Sequence, residues 1–142
     1  MTQQSETVHA TAVAFAGRGL LLVGPSGSGK SGLALQMMAH GAALIADDRV
    51  MLTREGDEVV MRCPPTIAGL IEARGIGVLN AQPYGEAPLA WVVDLAKIET
   101  KRSPDPRNVS YLGCNVPLLW RVDTPHFAVM LLHLLAHGRS TR

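Results

Sequence analysis

Short apolar runs fit for strands and two longer apolar stretches fit for helices follow one another along this chain, separated by glycine-rich and polar turns. His9 to Phe15 alternates small and β-branched residues and predicts a strand. Ala16-Gly17-Arg18-Gly19 makes a turn, and Leu20 to Val23 is a second, fully apolar strand. A glycine-rich loop fills positions 24–29. A helix is expected from Lys30 to His40, with Gly41 in the left-handed position that closes many helices. Ala42 to Ala46 reads as a buried strand ending on Asp47-Asp48. Val50 to Thr53 and Glu58 to Arg62 form a hairpin around Glu55-Gly56-Asp57.

Cys63-Pro64-Pro65 then breaks the pattern, and Ile67 to Leu79 follows with glycines at 69, 75 and 77. Ala90 to Leu95 is a further strand. The polar stretch Lys97 to Asn108, with Pro104 and Pro106, is expected to be a mobile loop. Leu118 to Val122 predicts a strand, and Thr124 as N-cap with Pro125 at N1 starts a helix that runs to His137 and stops at Gly138. No repeat or long linker divides the 142 residues, so positions 1–142 are read as one α/β domain.

Composition narrows the function classes. A hydrophobic fraction of 47% with 18% charged residues belongs to a globular protein. Scarce aromatics (4%) and a formal charge of +1 argue against nucleic acid as a partner. Cys63 and Cys114 are far apart and outside metal-type spacing, as expected of reduced thiols. The polar Met1 to Thr7 lacks the features of a signal peptide, and the apolar run Phe127 to Leu132 is too short to span a bilayer. No membrane is implied, and the expected location is cytoplasmic.

One motif carries the chemistry. Gly24-Pro25-Ser26-Gly27-Ser28-Gly29-Lys30-Ser31 matches G-x-x-x-x-G-K-[ST] and lies between an apolar strand and a helix, the context the motif requires. Glycines let successive N–H groups curl around phosphate oxygens, and the helix directs its positive end at the same anion. Lys30 reaches the β- and γ-phosphates, and the Ser31 hydroxyl ligates Mg²⁺. The expected ligands are therefore ATP and Mg²⁺.

Asp47 and Asp48 stand at the C-terminal end of the strand after that helix, the end of the sheet where a P-loop fold holds its nucleotide. One carboxylate there can hold Mg²⁺ and the other can take a proton from an attacking hydroxyl; either assignment fits. His9 opens the first strand. His133 and His137 are four apart on a helix, but Leu134 stands between them where a zinc-protease motif has glutamate.

Taken together, these segments resemble the catalytic domain of HPr kinase/phosphorylase, the bacterial enzyme that phosphorylates a serine of the phosphocarrier protein HPr. The resemblance rests on Val8-His9-Ala10, on Gly24 to Ser31 with Gly41 and Ala46-Asp47-Asp48, and on Ile71-Glu72-Ala73-Arg74-Gly75-Ile76-Gly77-Val78-Leu79-Asn80. It extends to Leu112-Gly113-Cys114-Asn115-Val116-Pro117. It implies a P-loop kinase domain with a mixed β-sheet like that of phosphoenolpyruvate carboxykinase, HPr as substrate, and assembly into hexamers. It assigns Lys30 to the phosphates, Ser31 and Glu72 to Mg²⁺, Asp47 or Asp48 to the base with His9 beside it, and Arg102 to a catalytic arginine.

The chain departs from the family in two places. It looks like a short form without the family's N-terminal domain. It also has Arg121-Val122-Asp123-Thr124-Pro125-His126 where the family has a P-G-R-N-type segment linked to the reverse, phosphorolytic reaction. Kinase activity without efficient phosphorolysis is therefore expected. A small-molecule kinase and a non-catalytic ATP sensor are the alternatives, and the acidic pair with Glu72 argues against the sensor, which needs no base.

Overall fold

The computed structural model describes residues 4–141. In chain order the elements begin with β1 (Ser5–His9), β2 (Thr11–Phe15), β3 (Arg18–Val23), α1 (Lys30–Ala39), β4 (Ala43–Ala46), β5 (Arg49–Glu55) and β6 (Glu58–Arg62). After a 3₁₀ turn at Pro65–Ile67 come β7 (Leu70–Ala73), β8 (Gly77–Asn80), β9 (Glu86–Ile98), β10 (Arg107–Tyr111), β11 (Cys114–Arg121) and α2 (Phe127–His137).

Nine of the strands form one mixed sheet, and β7 and β8 form a separate hairpin. β9 organises the sheet. Its first residues pair antiparallel with β6, its middle pairs parallel with β3, and its second half pairs parallel with β11. Because β3 and β9 run parallel, with Val23 opposite Asp94, the loop after β3 emerges beside the end of β9.

Alternation along each strand sends side chains to two cores. Val13, Leu20, Leu22, Leu44 and Val93 face α1 and α2, packing on Ala34, Met37, Leu131 and Leu135. Ala12, Leu21, Ile45 and Val92 face the other way, where the curl of the sheet closes Leu52, Val59, Met61 and Val116 over them. A sheet buried on both faces explains why Leu20-Leu21-Leu22 is continuously apolar rather than alternating.

The C-terminal ends of both helices stand where the sequence places them, and the turn expected over Ala16 to Gly19 narrows to Ala16-Gly17, since β3 starts at Arg18. α1 closes with Gly41 at φ 108°, where Gly41 N–H donates to Met38 O and Ala42 N–H donates to Met37 O. α2 stops at Gly138, and Arg18 Nη1 donates to the terminal carbonyl of Leu135 at 2.8 Å. Ala16 and Gly17 both have positive φ, as a two-residue hairpin turn demands.

Three expectations need correction. The strand expected from His9 begins at Ser5 and divides at Ala10, where the chain leaves β5 and joins β3 and β4. The second helix starts at Phe127, not Pro125. Thr124 closes a turn instead of capping the helix, with its carbonyl accepting from Phe127 N–H and its hydroxyl from His126 N–H. The loop expected over 97–108 is shorter, since β9 continues to Ile98 and β10 starts at Arg107. It is also tethered. The Glu99 carboxylate accepts from the Thr100 and Lys101 N–H groups and from Arg107, whose guanidinium lies 3.5 Å from the centre of the Trp120 ring.

Both cysteines are free and half-buried. Burial pushes the Cys63 thiol up, only partly offset by Arg49, which is the reverse of what a reactive thiol needs. Among the described residues no helix is long and apolar enough to cross a membrane.

Gly19 tests the junction of β3, β6 and β9. A methyl group there would stand 2.3 Å from Met61 Cε and 2.8 Å from the Pro88 carbonyl oxygen. The methionine can move but the backbone oxygen cannot. Gly19→Ala is expected to lower stability by about 2 kcal/mol, the scale of overpacking in a filled core, as measured by urea denaturation.

Candidate active site

The loop from Gly24 to Gly29 turns through three glycines at positive φ: Gly24 (144°), Gly27 (82°) and Gly29 (99°). No L-residue adopts these conformations comfortably, so the loop's shape depends on them. Gly29 is the N-cap of α1, and its carbonyl accepts from Leu33 N–H. The loop thus feeds directly into the positive end of a helix.

Lys30 is 7% exposed, and its Nζ donates to the carbonyls of Gly24 (2.7 Å) and Pro25 (3.0 Å). An ammonium has three protons. Two are fixed by the loop's own backbone, and one is left for the cleft that Lys30 lines.

The two aspartates occupy different environments. Asp47 is 6% exposed and accepts three hydrogen bonds: Oδ1 from Thr11 Oγ1 and Ser31 Oγ, both 2.8 Å, and Oδ2 from Glu72 N–H at 2.9 Å. Asp48 has φ 75°, and this left-handed turn swings its side chain away from its neighbour's. Asp48 Oδ1 lies 3.2 Å from His9 Nδ1, its Oδ2 lies 3.8 Å from Arg49 Nε, and both His9 and Asp48 are more than half exposed. The Asp48 carbonyl accepts from Ala10 N–H, which fixes the turn against the break between β1 and β2.

These groups line one cleft of about 570 Å³. His9, Ser26, Gly27, Gly29, Lys30, Ser31, Asp47, Asp48 and Glu72 all border it. Gly24 and Pro25 stand behind the rim and hold Lys30. The Ser28 hydroxyl turns inward, buried and without a hydrogen-bond partner among the described residues.

Arg102 is not brought to this cleft. The end of β9 and the tethered loop carry it to the β11 and α2 side, where it borders a different cavity. The cation that joins the phosphate loop is Arg74, just past the end of β7, and a methyl on Gly27 would come within 3.9 Å of its guanidinium. Arg74 makes no hydrogen bond or ion pair among the described residues. Thr11 and Arg74 line the cleft without a role assigned to them from the sequence: Thr11 opens β2 just past the break at Ala10, and Arg74 directly follows β7, within the Ile71 to Asn80 segment.

The donor set suits Mg²⁺. Among the described residues there is no cluster of three or more His, Cys, Asp or Glu that would cage a cation unaided. Mg²⁺ is commonly held by one or two protein oxygens together with nucleotide phosphates, and Ser31 and Glu72 offer such oxygens. Ser31 donates its proton to Asp47, which leaves its lone pairs toward the cleft.

Residues 1–108 match the model of the HPr serine kinase C-terminal domain. The chain belongs to that family. It is 39% identical over 102 residues to proteins named HPr kinase/phosphorylase from Burkholderia lata and Burkholderia cenocepacia, covering 70% of this chain and 32% of each relative. It therefore spans about a third of their length. The fold is shared with the HPr(Ser) kinase/phosphatase of Coxiella burnetii at a TM-score of 0.79 and 24% identity, over 92% of this chain and 88% of that one. The family match includes every residue of the phosphate cleft and ends before β11 and α2, so Leu112 to Pro117 falls outside it.

The asymmetry of the aspartates has a measurable consequence. Asp47→Asn places an amide N–H₂ against a donor on one side or the other, and should cost about 2 kcal/mol of folding stability. Asp48→Asn should stay within about 0.5 kcal/mol of the parent, as expected for an exposed side chain. Equal losses in urea titrations would contradict the division of roles.

Proposed function

We propose that this domain transfers the γ-phosphoryl group of ATP to a serine hydroxyl of the phosphocarrier protein HPr. The observation that carries this reading is the division of the acidic pair beside the phosphate loop. Asp47 has both oxygens committed to internal donors, whereas Asp48 is exposed at the cleft with only His9 and Arg49 near it. A saturated carboxylate is a poor proton acceptor, so the base is assigned to Asp48.

In this mechanism the loop amides, Lys30 and Arg74 hold the phosphates. Ser31 and Glu72 would hold Mg²⁺, which when bound neutralises charge on the phosphate oxygens. Asp48 takes the proton of the substrate serine as its oxygen attacks the γ-phosphorus, and ADP leaves. His9 orients Asp48 through the Nδ1 contact. The names of the Burkholderia relatives support the choice of HPr as acceptor.

With γ-labelled ATP and purified HPr, Lys30→Ala should lower turnover by about a hundredfold, the effect of losing one well-placed donor to developing charge. Asp48→Asn should abolish transfer while leaving ATP affinity within about threefold. Arg102→Ala should remain near the parent rate. Full activity in Asp48→Asn would remove the base from Asp48, and failure of the parent domain to label HPr would remove the acceptor.

The reverse reaction, attack of inorganic phosphate on phosphoserine to give serine and pyrophosphate, needs additional anion donors. The Lys and Arg residues that line the cleft are Lys30 and Arg74. Arg121 and Asp123, which replace the family's arginine-bearing segment, do not border it. Phosphorolysis should therefore run at least tenfold slower than the forward reaction. Pyrophosphate release from phosphoserine-HPr at a comparable rate would contradict this.

A further inference from the structure

A second cleft of about 340 Å³ lies between β11, α2 and the loop after β9, and shares no residue with the phosphate cleft. Its walls are apolar: Leu119, Val122, Phe127, Met130 and Leu134. Its exposed border is cationic, with Lys101, Arg102 and Arg139. Apolar walls with a few charged groups at the opening are the usual make-up of a small-molecule site, and the volume falls in the range such sites have.

The charge at the opening is not neutralised internally. Glu99 is the one acidic residue lining the cleft. Burial opposes its charge, but the Lys101 and Thr100 N–H groups and Arg107 more than offset this and hold its carboxyl below the usual range. Its oxygens are thus committed within the loop. Arg102 makes no ion pair among the described residues, Arg139 lies only over the Trp91 ring at 5.3 Å, and Lys101 meets Asp105 at 3.9 Å with both side chains exposed. The tether that commits Glu99 shapes the loop that brings Lys101 and Arg102 to the border, and Arg139 reaches it from the segment after α2.

We propose that this cleft binds a small amphipathic anion, a molecule with an apolar body and a carboxylate or phosphate head. The body lies against Leu119, Met130 and Leu134, and the head meets Arg102 and Arg139. The apolar walls select against inorganic anions, and the cationic border selects against neutral or cationic molecules of the same shape.

Octanoate is a suitable probe, followed by ¹H–¹⁵N chemical shifts of the domain, with octan-1-ol and acetate as controls. Saturable octanoate shifts are expected at the Trp120 indole, along α2 and over residues 99–104, with the phosphate-loop amides unmoved. Arg139→Glu should weaken octanoate binding by about tenfold, the effect of one lost charge-assisted contact, and Arg139→Lys should largely restore it. Arg102→Glu serves as a second variant if the first does not fold. Equal binding of octan-1-ol would reduce the site to a bare apolar groove, and equal binding of acetate would reduce it to a surface charge. Parent-like octanoate binding by the glutamate variants would overturn the proposal. So would cleft signals that move with protein concentration and not with octanoate, since a second copy would then be covering the site.

Discussion

The Asp47 carboxylate joins three parts of the chain that would otherwise have no reason to meet. Thr11 comes from β2, Ser31 from the first turn of α1, and the Glu72 N–H from the β7–β8 hairpin, which belongs to a separate sheet. A buried carboxylate is tolerated only when its oxygens are satisfied, and three donors meet that demand. The geometry that satisfies Asp47 is also the geometry that brings Ser31 and Glu72 to the same cleft. Folding stability and assembly of the site therefore depend on the same hydrogen bonds.

Asp48 depends on that arrangement. With Asp47 pinned inward, an extended backbone would simply send the next side chain to the opposite face of the sheet. The left-handed turn at φ 75° sends it instead toward His9, and the Ala10 N–H bond to the Asp48 carbonyl holds the turn. Aspartate accepts this conformation more readily than most residues. The same bond falls at Ala10, where the expected long strand divides, so the break between β1 and β2 and the strained turn at Asp48 support each other.

How legible each feature was follows from the range of the interactions that make it. The phosphate loop, α1 with its Gly41 stop, and the β5–β6 hairpin are set by neighbours within a few residues, and they stand where the pattern places them. β1 gains its partner from a distant strand, Arg49–Glu55, and carries no strong apolar signal of its own; β10 pairs with its neighbour β11 across Leu112-Gly113, but its polar sequence hides it. β9 extends well past Ala90–Leu95 because its flanking residues meet three different strands, a fact of topology that local composition does not carry. The roles of Asp47 and Asp48 were ambiguous in sequence for a related reason. Adjacent identical residues differ only in backbone angle and in their partners, and most of those partners, Thr11, Ser31 and Glu72 for Asp47 and His9 for Asp48, are distant in the chain. The resemblance that makes Arg102 a catalytic arginine runs through a stretch without a motif, and the loop tethered by Glu99 carries it to the other cleft.

The electrostatics around Lys30 would suit an anion at the loop. Lys30 is the first residue of α1, where the helix presents its positive end, and the first turn contains no acidic residue. It is 7% exposed, and among the described residues it has no carboxylate partner, only the Gly24 and Pro25 carbonyls. A protein built for stability alone would expose this ammonium or pair it, since a buried, unpaired charge is unfavourable. Carbonyl dipoles relieve the burden only in part. A phosphate group at the loop would meet the lysine, the helix end and the glycine N–H groups together, so the unfavourable features of the free domain all favour the bound one. Binding would then stabilise the fold as well as the ligand, by the amount mass action dictates for any ligand confined to the native state.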